Sequence, residues 1–415
     1  MSRKTRIIAG LDIGSTKVCC FIAELGENYV PRVIGYGQHA SGGMKRGMIV
    51  DMDRTENAIR EAVHQAEEMA DVQINGVIVG LGGVHLRSHM TDGLVVLNNH
   101  EITDEDIAKV IEVARAKQLD GDRQIIHAEA TRYLLDNQTD IRDPRGMMGS
   151  RLEADVHIIS AASSAVRNVV RCVERSNLEV QDIVVKPYAS AMSCLVQDER
   201  ELGVALVDMG GGTCDIAIYS DGALVYTAVV PLGGQHITAD IARGLSTPLS
   251  HAERIKNLYG CAMASAVNED ENIEIPRVGE DDEVSSGQIT RGALAGIIQP
   301  RCEEMLEMVR DKIEQSGFES AIGRRVVLTG GTSQLAGMRK LSDMVLDKTS
   351  RLARPTGVEG LTDLSGSPQF STAAGLVVYG AKAAARENRA RKREGWLSGV
   401  KTQFGRLLKE SFQTS

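Results

Sequence analysis

The chain has 415 residues, of which 42% are hydrophobic and only 3% aromatic, and its formal net charge is −9. This length allows two or three domains with aliphatic cores, and no stretch approaches the roughly 20 apolar residues that a bilayer-spanning helix needs. Its seven cysteines show no C-x-x-C spacing and its start carries no signal-peptide core, which favours buried free thiols in a cytosolic protein over disulfides or a zinc site.

In the first half of the chain, hydrophobic periodicity predicts alternating strands and helices. The predicted strands are 6–12, 17–24, 30–37, 76–81 and 180–186. The predicted helices are one with Asp53 as its N-cap, one at 163–176 and one at 187–197. Residues 82–160 add a strand near 94–97, a helix opening at Thr103 and a strand at 153–160, which is enough for a small α+β subdomain.

The second half continues the alternation. Its predicted strands are 202–208, 214–219 and 223–231, with a short one near 351–354. Its predicted helices are 234–244, 250–260, 289–316 and one from Ser371, and a solvated acidic loop is expected at 279–283. The whole pattern indicates an α/β fold.

Two segments of the chain share one motif. Leu11-Asp12-Ile13-Gly14-Ser15-Thr16-Lys17 is echoed 196 positions later by Val207-Asp208-Met209-Gly210-Gly211-Gly212-Thr213. Each predicts a strand, a tight turn and a second strand, in which glycine lets backbone N–H groups and hydroxyls converge on an anion. Asp12 and Asp208, at the strand ends, are placed to hold a hydrated Mg²⁺ ion. One such turn is usually an ordinary hairpin loop, but two could grip a polyphosphate from both sides.

A third glycine element follows the apolar strand that starts at Val326. Gly330 and Gly331 there precede a predicted helix. Alone, this pair indicates an ordinary strand-to-helix connection, whereas in an ATP-binding fold such a turn lets a purine and a ribose lie against bare backbone. The three elements in this order are hard to explain as independent turns.

This set of motifs resembles the superfamily of actin, sugar kinases and heat-shock-chaperone ATPases, over roughly residues 6–385. The resemblance implies two similar lobes, each built on a mixed five-stranded sheet with helices, that close on ATP in the cleft between them. It places phosphate hairpins at 10–18 and 206–219 and an adenosine turn at 326–338. The small-residue segments that begin at Pro187 and Ser371 resemble the two connecting helices.

Two interpretations compete for Glu253. Ser250-x-x-Glu253 fits a capping box with Ser250 as the N-cap. Alternatively, Glu253 and Lys256 lie three apart on one helical face and bracket the adenosine, as a Glu-x-x-Lys pair does in the chaperone and bacterial-actin relatives. The position of the pair along the fold favours nucleotide contact.

The end of the chain is basic although the whole chain is acidic. Residues 382–410 contain nine basic and three acidic groups, a net of +6. At 100° per residue, residues 395–412 place an apolar stripe opposite basic side chains, which predicts an amphipathic helix on an anionic membrane. The stripe is Trp396, Leu397, Val400, Phe404, Leu407 and Leu408, and the basic side chains are Lys401, Arg406 and Lys409. The alternative is a helix that packs on the protein's own domain. The charged linker before it favours a helix that can extend away from that domain to a membrane.

An actin-like chain with an inserted subdomain and such a C-terminus resembles the FtsA family, bacterial division proteins that tether FtsZ filaments to the inner membrane. Residues 42–47, Gly-Gly-Met-Lys-Arg-Gly, also resemble a stretch of that family. The resemblance implies ATP and Mg²⁺ as ligands and a peripheral location on the cytoplasmic face of the membrane at the septum. The implied partners are the FtsZ C-terminal peptide, further copies in filaments, later division proteins and anionic inner-membrane lipids, with no nucleic acid.

The same resemblance implies a division into domains. The first lobe is 1–81 and 161–198, interrupted by an inserted α+β subdomain at 82–160 that meets neighbouring subunits or later division proteins. The second lobe is 199–230 and 306–385, and its upper subdomain, 231–305, receives the FtsZ peptide. A charged linker at 386–394 leads to the membrane helix at 395–412.

Other functions of the superfamily fit less well. A sugar or acetate kinase needs a carboxylate base on the substrate hydroxyl, and the segment from Val184 to Val196 contains no Asp or Glu. A chaperone ATPase needs a further substrate-binding domain, and a pilus-assembly actin homologue shares the insertion but does not predict the amphipathic tail. Since no residue that positions an attacking water is identifiable, we expect ATP binding with at most slow hydrolysis.

Overall fold

A computed structural model describes residues 6–117, 121–276 and 286–388. The predicted acidic loop at 279–283, residues 389–394 of the predicted linker, and the predicted membrane helix with its stripe and basic side chains from Trp396 to Lys409 all lie outside these ranges. Within them, no helix has the length and apolar character required to cross a membrane.

The strands that the structure describes range from 2 to 15 residues in length. They are β1 (Arg6–Ile13), β2 (Lys17–Leu25), β3 (Pro31–Ala40), β4 (Met44–Lys45), β5 (Met48–Ile49), β6 (Gly76–Leu81), β7 (Arg87–Glu101), β8 (Arg123–Leu135), β9 (Gln138–Ile141), β10 (Met148–Ala162), β11 (Glu179–Val185), β12 (Val204–Met209), β13 (Cys214–Ser220), β14 (Ala223–Val230), β15 (Asn272–Pro276), β16 (Ser286–Thr290), β17 (Arg325–Thr329) and β18 (Thr349–Leu352).

The helices cover the sheets and connect them. They are α1 (Met52–Ala70), α2 (Asp104–Arg115), α3 (Ser163–Arg175), α4 (Lys186–Cys194), α5 (Gln197–Leu202), α6 (Gly234–Leu245), α7 (Leu249–Tyr259), α8 (Arg291–Gln315) and α9 (Met338–Leu346), followed by a last helix, α10, over residues 371–388.

Two five-stranded sheets share one topology. The first has the order β11-β6-β1-β2-β3 and the second the order β18-β17-β12-β13-β14. In each sheet the central strand forms an antiparallel hairpin with the next strand and pairs in parallel with a later one. The central strands are therefore enclosed on both edges, which suits their apolar sequences. This is the two-lobed, actin-like α/β fold that the sequence predicted.

Aliphatic side chains at helical spacing hold the helices on these sheets. In α1, residues 58, 59, 62, 63 and 66 are buried, the repeat of an amphipathic helix. β3 admits this helix closely because it carries glycine: a Cβ on Gly37 would lie 2.0 Å from the carbonyl oxygen of Ala62. In the second lobe, α8 buries Leu294, Ile298 and Cys302 on successive turns. All seven cysteines are buried and free, as predicted.

The segment between β6 and α3 forms a four-stranded sheet of its own, in the order β7-β10-β8-β9. Helix α2 packs on it around a separate core that includes Val110, Leu152 and Val156. Helix α2 opens at Thr103 as predicted. Thr103 is its N-cap, and Asp106 completes a capping box. The sequence interpretation missed β8 and β9, because their half-exposed pattern lacks a clear alternation of apolar and polar residues.

Three predicted helix boundaries were wrong. Helix α1 is capped by Asp51, whose side chain accepts from the Arg54 N–H at 3.0 Å, and Asp53 lies in its first turn. Helix α8 begins at residue 291 rather than 289, because the preceding residues pair as β16 and Thr290 caps the helix. The helix predicted at 187–197 ends at Cys194, after which α5 begins at residue 197.

Candidate active site in the interlobe cleft

One cleft of about 550 Å³ lies between the two sheets, and every residue predicted to bind nucleotide or cation lines it. They are Asp12, Gly14, Ser15, Thr16, Lys17, Asp208, Gly210, Gly211, Gly212, Thr213, Glu253, Lys256, Gly330 and Gly331. These residues come from four segments of the chain. The structure therefore brings together what the sequence placed up to about 320 positions apart.

The two motifs form hairpin turns of the same geometry. In the first, which we call hairpin 1 (residues 10–18), the Gly14 N–H donates to the Lys17 carbonyl oxygen at 2.9 Å. In hairpin 2 (residues 206–219), the Gly210 N–H donates to the Thr213 carbonyl oxygen, also at 2.9 Å. Asp12 and Asp208 occupy equivalent strand ends, opposite residues 19 and 215. Each lobe thus presents one turn and one carboxylate to the cleft.

The hairpins meet across the cleft. A Cβ on Gly212 would lie 2.5 Å from the Ser15 Oγ, so the close approach of hairpin 2 to hairpin 1 requires glycine. The Ser15 Oγ accepts the Gly47 N–H at 3.3 Å, and the Gln235 side chain donates to the Ser15 carbonyl oxygen at 3.2 Å. Hairpin 1 is consequently held by contacts from both lobes.

The start of α6 fixes hairpin 2. The Gly234 and Gln235 N–H groups donate to the carbonyl oxygens of Gly210 and Gly211 at 3.0 and 2.8 Å, and the Thr332 hydroxyl also donates to the Gly210 oxygen, at 2.9 Å. These bonds take up the turn carbonyls, which would otherwise repel an anion. The turn N–H groups are then the backbone dipoles that hairpin 2 offers to the cleft.

Asp208 is buried among hydroxyls at the base of hairpin 2. Its Oδ2 accepts from the Ser190 hydroxyl at 2.6 Å and from the Thr372 hydroxyl at 3.2 Å. Burial raises the pKa of Asp208 against the effect of the Ser190 bond, and the nearby Asp12 raises it further. On the neighbouring strand, burial and then Asp208 raise the pKa of Asp215 to about 7.

Hairpin 1 has two lysines at its base. The Lys186 ammonium lies 2.8 Å from Asp12 Oδ1 and donates to the Ile13 carbonyl oxygen at 2.7 Å. The Lys17 ammonium lies 3.5 Å from the centre of the Phe370 ring, a cation–π contact. Burial lowers the pKa of Lys17 to about 8. Both ammonium groups therefore sit where solvent only partly screens their charge.

The wall of the cleft in the second lobe contains the Glu253–Lys256 pair. Helix α7 begins at residue 249 after Pro248 and has no side-chain cap, so Ser250 does not form the capping box, and that interpretation was wrong. Glu253 instead binds the Lys256 ammonium at 2.7 Å and accepts from the Thr238 hydroxyl. Burial alone would raise the pKa of Glu253, but Lys256 and the hydrogen bonds lower it. The pair is thus ionised and faces the cleft.

The third glycine element lies against hairpin 2. Gly330 has φ +88°, and a Cβ there would lie 2.4 Å from Asp208 Oδ1. A short 3₁₀ helix, Thr332–Gln334, follows, and α9 begins only after Gly337. The Gly330 N–H donates to the Pro368 carbonyl oxygen at 3.2 Å, which ties this turn to the approach of α10.

Sequence reasoning missed several residues of the cleft. It is also lined by Lys186, Asp215, Gln235, Thr332 and Thr372. Lys186 directly precedes the small-residue helix that begins at Pro187, so its place at the start of a connecting helix was the available signal. The hydroxyl partners of Asp208 are distant in sequence and carried no such signal.

The comparisons with known proteins agree over most of the chain. Residues 205–375 match the family model for cell division protein FtsA, and residues 83–160 match the model for the SHS2 domain inserted in FtsA. Cell division protein FtsA of Pseudomonas aeruginosa is 41% identical over 375 residues, covering 90% of this chain and 89% of that protein. Its counterpart in Agrobacterium fabrum is 40% identical over 425 residues, covering 99% and 96%.

Solved structures match the fold at lower identity. The PilM–PilN type IV pilus biogenesis complex contains a chain with a TM-score of 0.65 and 17% identity, which covers 90% of this chain and 98% of that one. MreB 5 of Spiroplasma citri bound to AMPPNP has a TM-score of 0.52 and 14% identity, covering 95% and 100%. These likenesses concern the fold, whereas the full-length relatives decide the family. The chain belongs to the FtsA family of actin-like cell division proteins.

Proposed function

We propose that this chain binds ATP in the interlobe cleft and, in filaments, tethers FtsZ to the cytoplasmic face of the inner membrane at the division septum. The observation that best supports a nucleotide site is the contact between hairpins 1 and 2 across the cleft. Two equivalent turns face each other across a cleft that also contains a glycine turn and an ionised Glu–Lys pair. A polyphosphate between two such turns would receive N–H groups and hydroxyls from both lobes.

The chemistry of the cleft suits a nucleotide that brings its own Mg²⁺ ion. Within residues 6–117, 121–276 and 286–388, no group of three or more His, Cys, Asp or Glu side chains could bind a metal directly. Asp12 and Asp208 would therefore hold a cation through water, with phosphate oxygens as further ligands. When bound, the ion would offset phosphate charge. The bare backbone at Gly330 and Gly331 would receive the adenosine, flanked by Glu253 and Lys256.

Binding is better supported than rapid hydrolysis. A fast ATPase needs a group that orients the attacking water. Asp12 and Asp208 are assigned to the hydrated cation, and each already has partners: Lys186 lies against Asp12, and two hydroxyls donate to Asp208. We infer that ATP serves mainly to close the lobes and permit assembly, with slow turnover at most.

The remaining partners are proposed from family membership and from the sequence. The FtsZ C-terminal peptide would bind the upper subdomain at 231–305, and the inserted subdomain at 82–160 would meet neighbouring copies or later division proteins. The apolar stripe and basic side chains at 395–412 support attachment to anionic lipids. We propose the division into lobes and membrane helix that the sequence suggested, with two changes. Helix α10 extends to residue 388, so the charged linker is limited to 389–394. The same helix packs with Ile8 and Leu25, so it is assigned to the first lobe.

Two alternatives have less support. A pilus-assembly role rests on a fold likeness at 17% identity, whereas the division relatives reach 41%. A small-molecule kinase would need a carboxylate facing its substrate, and no such residue occurs in the first connecting segment.

A recruitment experiment tests the proposal. FtsZ filaments are mixed with anionic liposomes, with and without this chain and ATP, and the FtsZ that sediments with the liposomes is measured. We expect recruitment only when chain and ATP are both present, and loss of recruitment when the FtsZ C-terminal peptide is removed. Equal FtsZ sedimentation without the chain, or with peptide-less FtsZ, would contradict the tether.

A further inference from the structure

Lys186 forms a nearly buried ion pair at the floor of the cleft. Its side chain is 11% exposed and that of Asp12 is 13% exposed, and the ammonium lies 2.8 Å from Asp12 Oδ1. The same ammonium donates to the Ile13 carbonyl oxygen at 2.7 Å. A cation is thus already fixed at the strand end of hairpin 1, against the carboxylate expected to face a metal ion.

The surrounding backbone is shaped to admit this lysine. A Cβ on Gly82 would lie 2.7 Å from Lys186 Cδ and 3.1 Å from its Cγ. The aliphatic stem therefore passes over bare glycine backbone at the end of β6. Because Lys186 is the first residue of α4, its position is also set by a connecting helix between the lobes. The ammonium is held by a rigid element rather than by a loop.

An ammonium group carries three N–H donors. One donor of Lys186 is given to the Ile13 carbonyl oxygen, and the ammonium lies against Asp12 as an ion pair, without a hydrogen bond to Asp12 Oδ1. Lys186 also lines the cleft beside Gly14 and Asp208. At least one donor therefore remains for an anion between hairpins 1 and 2. Three carboxylates, those of Asp12, Asp208 and Asp215, also line this space and would repel a polyphosphate unless positive charge offsets them.

We propose that Lys186 is a polyphosphate-binding residue that supplies part of the positive charge which a divalent cation otherwise brings to Asp12. Nucleotide binding in this cleft then depends only weakly on Mg²⁺. This inference rests on the proposed nucleotide site and specifies how that site recognises its ligand. It also assigns the Asp12 carboxylate a second role, which is to hold the ammonium in place between nucleotide-binding events.

The test measures how strongly Mg²⁺ affects binding of a fluorescent ATP analogue to the full chain. The dissociation constant is determined in Mg²⁺ and in EDTA, and the ratio of the two constants is compared between wild type, Lys186→Met and Asp12→Asn. Lys340→Met, which removes an exposed lysine on α9, is the matched control. Thermal unfolding of each variant reports whether it is folded.

For wild type and Lys340→Met we expect the dissociation constant to rise by no more than about threefold in EDTA. For Lys186→Met we expect this ratio to be at least about tenfold larger, because a buried charge–phosphate contact is lost. Asp12→Asn frees the ammonium, so its binding in EDTA should be at least as tight as that of wild type. A merely structural Lys186 would weaken binding equally with and without Mg²⁺, and an unchanged ratio in Lys186→Met overturns the inference. If wild type binds no ATP analogue even in Mg²⁺, the proposed nucleotide site itself fails.

Discussion

Gly211 of hairpin 2 packs directly against Thr16 of hairpin 1: a Cβ on Gly211 would lie 1.6 Å from the Thr16 Oγ1 and 3.0 Å from its Cβ. Contact this close leaves no space for any side chain at position 211. The observed approach of the two turns at this point therefore requires glycine at position 211. Together with Gly212 against Ser15, this pair brings the two hairpins into direct contact across the cleft.

Substitution of Gly211 should uncouple the lobes. Gly211→Ala places a methyl group against Thr16 and should weaken ATP binding by about tenfold, a cost in the range of overpacking. Gly211→Asp should weaken it further, because a carboxylate then faces phosphate. Binding of a fluorescent ATP analogue is the measurement.

Two further variants sharpen that test. Thr16→Ala in the Gly211→Ala background removes the clashing hydroxyl and should restore part of the affinity. Gly296→Ala is the matched control, because an added methyl there, on the exposed side of α8, has no neighbour within 4 Å in the described part of the chain. ATP binding that is unchanged in Gly211→Ala would show that the hairpins do not close on the ligand.

Asp215 should make the stability of the nucleotide-free protein pH-dependent. Burial and Asp208 raise the pKa of Asp215 from 3.8 to about 7, so between these pH values the folded state binds more protons than the unfolded state. The free energy of unfolding should therefore fall as pH rises from about 4 to 7, by at most a few kcal/mol, and then level off. Chemical unfolding at several pH values measures this.

Asp215→Asn is the corresponding control, since an amide cannot ionise. It should be more stable than wild type at pH 8 and should flatten the decline between pH 4 and 7. The same pH profile in Asp215→Asn and wild type would assign the effect to other groups.

The Glu253–Lys256 pair should affect ATP binding more than stability. Glu253 is 41% exposed, so Glu253→Gln should lower the free energy of unfolding by less than about 1 kcal/mol. Loss of the charge beside the adenosine turn should weaken ATP binding, and Lys256→Ala should do so similarly. Thermal unfolding and nucleotide titration are measured together.

A matched pair on the surface controls for the loss of an ordinary ion pair. Glu314 lies 3.8 Å from Arg310 on the exposed side of α8, and Glu314→Gln should leave ATP binding unchanged. If Glu253→Gln lowers stability markedly while ATP binding holds, the pair is structural and the adenosine contact is wrong.

The cleft contains both residues that the sequence could predict and residues that it could not. Asp12 and Asp208 could be paired from the chain because each ends an apolar strand before glycine, a local pattern set by backbone sterics. The Asp208 hydroxyl partners Ser190 and Thr372 could not, since helices from different parts of the chain bring them in. Contacts made by tertiary packing leave no local signal.

The helix caps illustrate the same limit. Ser250-x-x-Glu253 has the residues of a capping box, yet α7 begins one residue earlier and Glu253 turns to Lys256 and Thr238. Glu253 thus accepts from a hydroxyl on another helix, α6, a contact that the sequence spacing does not indicate. Similarly, Asp51 and Asp53 are both residue types that cap helices. Asp51 is the N-cap because its backbone is extended and the helix begins directly after it.

The FtsZ peptide should bind outside the inserted subdomain. A chain lacking residues 82–160 should retain binding of the FtsZ C-terminal peptide, because the proposed site lies within 231–305. Val96→Glu, which changes a 74% exposed side chain of the subdomain, is a milder version and should also leave peptide affinity unchanged. Fluorescence anisotropy of a labelled peptide measures it. Loss of peptide binding in folded Val96→Glu would move the site to the subdomain.

The membrane tail should act weakly alone and strongly in assemblies. Burial of Trp396 and the apolar stripe offers several kcal/mol, with about 1 kcal/mol more per basic side chain near an anionic leaflet, and ordering of the chain offsets part of this. A filament carries many tails, so its apparent membrane affinity should exceed that of one copy by orders of magnitude. Reversal of the charges of Lys401, Arg406 and Lys409 should weaken membrane binding in a salt-dependent way.

The central claim, that cleft closure on ATP drives assembly at the membrane, is tested most directly by co-sedimentation with anionic liposomes over a range of ATP concentrations. Wild type should bind at least about tenfold more tightly with saturating ATP than without it. Gly211→Ala should show little ATP effect, and Trp396→Glu should not bind although it still binds ATP. Wild-type membrane affinity that is the same with and without ATP, or membrane binding retained in Trp396→Glu, would contradict the claim.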